Sequence, residues 1–381
     1  MSTAQAGVIK AGSTCANLNQ IANVGKLKFI CTKSGNKMVW TQKSTNSSPQ
    51  QKLPSVESTP VAPSSFADLW ENRKGIAYGA FSKVANVLTS KPRQLPTVDV
   101  YRGPNTSVYV KDISVPFQFV TRLFPTFELP KKIIVIYWSN QDMAWATNKA
   151  KELMGTTEWQ NVINTIGGPF VDCYTPTNCN VGHAFISADG TAYIGLGNPD
   201  HAEGDSNFVL GQKEEIEFYH SLQLFQYFKH GSQVTSKGTI VSANFPPAWI
   251  NVAGENFTFD SLRFEGNLNG FIRAQNFTDW MNHIGHPISP EWLSDFLDIK
   301  NLGAKWSDDG FATITDSNCI GASIIEILVA LKGPNVLLDF HNQMSQGKSF
   351  AEVFKNEFGT SWEEASPVIS KVIYDKYLNN Y

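Results

Sequence analysis

The stretch from residue 44 to residue 65 does most to decide what this chain can fold into. It reads STNSSPQQKLPSVESTPVAPSS, rich in Ser, Pro, Thr and Gln and almost free of large apolar side chains. Such a segment has too little to bury to fold on itself, and its prolines favour extended polyproline conformations. It reads as a linker, so the chain divides into a small piece, residues 1–43, and a body beginning near Phe66. The 381 residues are 42% hydrophobic and only 17% charged, so the body has the means for a large core and the small piece does not.

Something must staple the small piece. Residues 8–42 carry short alternating apolar runs, KLKFICT and KMVWTQ, split by the turn signal SGN, which predicts a β-hairpin closed by a Cys15–Cys31 bridge. The segment resembles small modules of the pattern aGxxC…G…ytCxxxGkklvW appended to exported actinobacterial proteins, through Gly12, Cys15, Cys31, Gly35 and Trp40. Cys173 and Cys179 form a second close pair, and Cys319 sits in the apolar run NCIGASIIEILVALKG. The pattern therefore predicts two disulfides and one buried thiol. Bridges of this kind persist in oxidising compartments, so the expected location is extracellular or in the cell envelope; the alternative is a reduced protein with five ordinary thiols. The first ten residues, MSTAQAGVIK, show neither a basic start nor an apolar h-region, so a signal peptide is expected to be absent from the chain as given. A net charge of -3 gives no basic surface for nucleic acid, and no run of eighteen apolar residues predicts a transmembrane segment.

The body reads as α+β. A helical segment spans FADLWENRKGIAYGAFSKVANVLTS, followed by strands TVDVYRG and KKIIVIYWS and a helix across DMAWATNKAKELMG. HAFISADGTAYIGLG gives two alternating runs around Asp189-Gly190, a hairpin signal. After Asn207 nearly everything reads as helix: 208–230, about 259–284, 289–299, 318–331, 333–346, 349–357 and 361–380. The expected division is therefore an α+β subdomain over 66–206 and a helical one over 207–381.

Within the helix over 208–230, Glu217 and His220 lie three apart and project from one face. A Glu-x-x-His spacing alone is weak, since chance supplies it about half the time in a chain of this length. The residues C-terminal to it add weight. From this helix to its end the chain resembles the gluzincin metallopeptidases, whose active helix reads roughly H-E-x-x-H-x-x-Q. Later motifs are W-[LI]-x-E-G-x-x-N-[FY], G-A-x-x-x-x-x-L-V-x-x-x-G and G-x-S-F-x-x-x-F-x-x-x-F-G. Glu217, His220 and Gln223 match the first motif, and Trp249, Ile250, Asn256 and Phe257 the second. Gly321, Ala322, Leu328, Val329 and Gly333 match the third, and Gly347, Ser349, Phe350, Phe354, Phe358 and Gly359 the fourth. The resemblance implies a zincin-like fold, with a mixed β-sheet subdomain followed by a mostly helical one. It also implies that His183, Ala184 and Phe185 lie on the edge strand that pairs with substrate backbone.

The departures from the family pattern matter most. Ile216 stands where the first metal-binding histidine belongs and Val252 where the glutamate ligand belongs, with Ala253 in place of the neighbouring glycine. Catalytic zinc takes three protein ligands and a water, so His220 as sole remaining ligand cannot hold it, and Glu217 is left a general base with no acidified water. Glu214, Glu215 and Glu255 are candidate substitute ligands, disfavoured because a three-residue displacement on a helix moves a Cβ by about 5 Å. No cofactor is expected on this reading. The remaining histidines read as structural: His201 in a polar loop, His230 at a helix C-terminus, His283 and His286 beside a turn, His341 as a packing residue. Glu217 and His220 are then expected to bond to one another in a filled cleft.

Three functions stay open. The first is an exported pseudopeptidase whose cleft binds a peptide or an envelope protein; the second is an active zinc peptidase with substituted ligands, Glu217 activating water. The third is a structural envelope protein whose filled cleft binds nothing.

Overall fold

The computed structural model describes residues 10, 13–15, 21–24, 27–34, 37–43, 59–166, 169–173, 179–199, 209–231, 245–263, 266–274, 284, 286–301 and 314–379. Contacts divide the chain into two compact units, Met1–Ser58 and Thr59–Tyr381.

In the small unit β1 (Ile21–Val24), β2 (Leu27–Ser34) and β3 (Lys37–Lys43) form an antiparallel sheet in that order. The hairpin expected from KLKFICT and KMVWTQ is the β2–β3 pair, with Cys31 opposite Trp40, and β1 adds a third strand. Phe29, Cys31 and Trp40 are buried together, and the Cys15–Cys31 disulfide closes over them. That core is too small to hold the sheet without the covalent tie. Gly12 and Gly35 lie outside the described residues.

The large unit is mixed α+β. Its first helix does not begin at Phe66: a short 3-10 turn at Arg73–Gly75 precedes α1 (Ile76–Leu88). The chain doubles back tightly there, since a Cβ on Gly75 would fall 1.9 Å from the Val61 carbonyl oxygen. Then come β4 (Thr97–Arg102), α2 (Ser114–Leu123), β5 (Lys132–Trp138) and α3 (Met143–Ile166), the last broken at Gly155 with φ 77°. β6 (Val181–Ile186) and β7 (Thr191–Gly197) are the predicted hairpin; Gly190, with φ 84°, makes the turn. The sheet order is β4-β5-β7-β6, with β4, β5 and β7 parallel and β6 antiparallel on the edge. β5 is buried along almost its whole length and β7 throughout, as strands covered on both faces are.

The helices follow as α4 (Gln212–Lys229), α5 (Ala248–Arg263), α6 (Leu268–Ala274), α7 (Pro290–Phe296), α8 (Ile314–Lys332), α9 (Val336–Met344), α10 (Phe350–Phe358) and α11 (Trp362–Asn379). Their ends obey local chemistry. Ser289 caps α7 ahead of Pro290, Ser349 and Glu352 form a reciprocal capping box on α10, and Gly359 at φ 72° ends it. α8 is the central helix, with Cys319, Ile320, Ile324, Ile325, Leu328 and Val329 all buried. α5 crosses it closely at Gly321, where a Cβ would lie 2.7 Å from the Trp249 Cβ and 2.9 Å from the Ala253 Cβ.

The disulfides are Cys15–Cys31 and Cys173–Cys179, and Cys319 is buried and outside both, as its apolar surroundings predict. Among the described residues no single helix is long and apolar enough to cross a membrane.

Candidate functional site

Gly211, at φ 85°, opens α4, and the helix lies against the hairpin of β6 and β7. Glu217 faces β6 so closely that a Cβ on Gly182 would come within 2.1 Å of its Oε1. Only glycine leaves room for that carboxyl group. Glu217 is 6% exposed, and burial pushes its pKa up, against the opposing fields of His220, His183 and Lys213.

One turn on, His220 is bonded on both ring nitrogens. Nε2 lies 2.5 Å from Glu255 Oε2 and Nδ1 lies 2.7 Å from Gln223 Oε1. The Gln223 carbonyl oxygen can only accept, so Nδ1 carries a proton and donates it. The Gln223 amide in turn lies 3.1 Å from His341 Nε2 and donates to it, which leaves the His341 proton on Nδ1. His341 is fully buried, and burial, with the charge on His220, holds its pKa down at about 3, so the ring is neutral. Burial pulls His220 the same way, but the Glu255 hydrogen bond and charge, with Glu217 and Gln223, outweigh it and hold the ring at about 9. At neutral pH His220 is an imidazolium held between Glu255 and Gln223.

These contacts correct one expectation: His220 does not pair with Glu217. Glu255, disfavoured by the sequence as a substitute metal ligand, is its hydrogen-bond partner. The physical reason is that α5 begins at Ala248, well ahead of the helix expected near 259, so residues 252 and 255 sit on one face a turn apart. The flexible glutamate side chain then spans the difference that Cβ positions alone suggest is too large. Ile216 is half-buried; the side chain of Val252 lies outside the described residues.

On the hairpin, His183 Nε2 lies 2.8 Å from Asp172 Oδ1, and Asp172 immediately precedes the Cys173–Cys179 bridge. Trp138 Nε1 donates to the Asp172 backbone carbonyl at 2.9 Å, which fixes the loop to β5. The side chains of His183, Ala184 and Phe185 are all buried. What β6 can offer a neighbour is therefore its backbone edge, not those three side chains. Lys213, one turn before Glu217, donates to the carbonyl of Gly197 and, at 3.4 Å, to Asn198; burial drags its pKa down to about 8. Asp172, Lys213, Gly182 and His341 carry no sequence signature: Lys213 shares the helix of Glu217, and the others join the site from separate elements.

His230 caps α4 at its C-terminus, as expected, and His286 Nε2 lies 3.1 Å from the buried Asp316. His201 and His283 lie outside the described residues.

Among the described residues the donors around His220 are fewer than a catalytic zinc site takes. Two metal-type donors converge, His220 Nε2 and Glu255 Oε2, and the place one residue before Glu217 is aliphatic. Among the described residues no group of three or more His, Cys, Asp or Glu side chains is arranged to hold a metal ion. Three protein ligands are the minimum for holding the ion and acidifying its water, and this pair falls one short. No family model, no curated protein and no solved structure matches this chain.

Proposed function

We propose that this protein is an exported, catalytically retired relative of the gluzincin metallopeptidases, whose cleft beside β6 binds an extended peptide or a partner's strand without cutting it. One observation carries the reading: the His220 nitrogen that would face a metal is engaged by Glu255 at 2.5 Å. An imidazolium–carboxylate pair supplies the positive charge internally and closes on itself, so Glu217 has no polarised water to deprotonate. The order of motifs from α4 to α11 supports the family, and the two disulfides support an oxidising location. β6, antiparallel on the sheet edge, supports strand addition as the binding mode.

The deciding experiment is metal content by mass spectrometry after purification without chelator, paired with binding of an extended-peptide library. The expected result is metal well below one equivalent and peptide binding without cleavage. Stoichiometric zinc overturns the reading.

The same 2.5 Å contact favours a second reading, in which Glu255 has become a substituted ligand beside His220 and Glu217 keeps its role as base. That reading requires chelator-sensitive peptide cleavage abolished by Glu217→Gln, and absence of such activity removes it.

A further inference from the structure

The outer edge of β6 is covered at one point. The Ser187 N–H donates to the Thr191 carbonyl, so, counting back along the antiparallel pair, Phe185, His183 and Val181 exchange hydrogen bonds with β7. Gly182, Ala184 and Ile186 therefore turn their N–H and C=O groups away from it. Gly182 and Ile186 are partly exposed there, but Ala184 is 0% exposed. Among the described residues no strand pairs with that side of β6. Ala184 clusters with Leu224 and Tyr227 of α4, and Phe245, just ahead of α5, packs on that cluster. The Phe245 ring stacks on Tyr227 with centroids 5.2 Å apart and meets the His341 ring of α9 nearly edge-on, at 5.1 Å and 74°. Pro246 and Pro247 follow, both buried, and neither has an N–H to give a strand edge. At this point the chain entering α5 offers the cluster a ring and not a row of backbone donors.

We propose that Phe245 is the built-in occupant of a side-chain pocket formed by Leu224, Tyr227 and His341, and that an extended peptide added to β6 displaces it with an aromatic residue of its own. The proposal rests on the peptide-binding reading given above and names the residue class that the peptide must carry. The walls select a ring. Tyr227 and His341 stand perpendicular, at 84°, so a third ring stacks on the first and meets the second edge-on, as Phe245 does. His341 is fully buried, and its Nδ1, which carries the ring proton, has no hydrogen-bond partner among the described residues. An aromatic face accepts an N–H weakly and an aliphatic side chain does not accept it at all. The pocket also adjoins the cleft, since Gln223 joins His341 to His220 by two hydrogen bonds. Exchange of occupants is open to Phe245 because its side chain is only half-buried, and Pro246 and Pro247 hold no N–H bond that must break when the ring leaves.

The test compares the full chain with its Phe245→Ala variant by amide exchange followed with NMR and by binding of an extended-peptide library. While the ring holds the pocket, the Ala184 N–H and an incoming peptide both wait on the open form. Removing the ring therefore raises the exchange rate and the affinity by the same factor, the reciprocal of the open fraction; for about one open molecule in ten, that is about tenfold in each. The peptides gained carry Phe, Tyr or Trp. The amides of His183 and Phe185, bonded to β7, exchange as before and report an intact sheet. Phe245→Tyr keeps the ring and stays at the parent's affinity. Unchanged exchange at Ala184, equal or weaker peptide binding by the Ala variant, or a gain with no preference for aromatic residues each overturns the proposal alone. So does faster exchange at His183 and Phe185 as well, which makes Phe245 a part of the sheet's own packing. Absence of binding by both proteins overturns the proposal together with the reading it rests on.

Discussion

Replacing Glu255 by Gln keeps the shape and one neutral hydrogen bond but removes the charge that holds His220 as an imidazolium. The two side chains are 22% and 17% exposed, so the pair is neither a surface ion pair nor a fully buried one. The His220 pKa is raised from 6.5 to about 9, which sets a ceiling of about 3 kcal/mol on the linked stabilisation. Partial solvent screening brings that to about 2 kcal/mol. The sign follows from proton binding. A histidine whose folded pKa lies above its unfolded value binds protons more tightly when folded, so its contribution is complete below 6.5 and lost as pH rises through about 9. Urea denaturation of both proteins at about pH 6, 7.5 and 9, followed by tryptophan fluorescence, therefore gives a gap of about 2 kcal/mol at the lowest pH that closes toward the highest. Taking the difference cancels other titrating groups that do not feel Glu255. A gap that stays constant, or widens with pH, would falsify the ion pair as described.

Three further outcomes are expected. Gly182→Ala drives a methyl into the Glu217 carboxyl and costs about 1–3 kcal/mol in thermal or urea unfolding, and most of that loss disappears when Glu217 is also replaced by Ala; additive costs in the double mutant would show that the two do not touch. Glu215 is 3% exposed and burial raises its pKa from 4.5 to about 9, so the folded protein loses stability as pH climbs between those values; Glu215→Gln is more stable by about 1–3 kcal/mol near pH 7.5, the gain vanishing near pH 4, and equal stabilities at both pH values would contradict the burial. Cys173 and Cys179 close a loop of six residues' separation, so the double Ser variant loses about 2 kcal/mol, with amide exchange rising first at Asp172 and His183; unchanged exchange there would mean the bridge does not hold Asp172 in place.

The sheet is legible in the sequence because its signals are local. Asp189-Gly190 between alternating runs names its own turn, and the apolar run at β5 carries the signature of a strand covered on both faces. α2 is not legible: ten residues are few for a periodicity, and Pro116 reads as a breaker although the first turn of a helix tolerates it. The late start expected for α5 has a similar cause, since Ile250, Val252 and Gly254 are poor helix formers that tertiary packing overrides. Glu255 is visible as a candidate, but a Cβ argument leaves out the reach of its side chain. Glu217 and His220 can be found from spacing because a helix fixes their relation, whereas the reach of Glu255, Asp172 and His341 depends on how separate elements come together, which no local pattern records.

The contact between α5 and α8 carries a consequence beyond packing. Because nothing but hydrogen stands on Gly321, the backbone bearing Trp249 and Ala253 can sink toward the central helix, and the same α5 carries Glu255 to His220. A single methyl at residue 321 would press on Trp249 and Ala253, on the same helix as Glu255. The helix that brings Glu255 to His220 is thus seated by a residue that bears no charge.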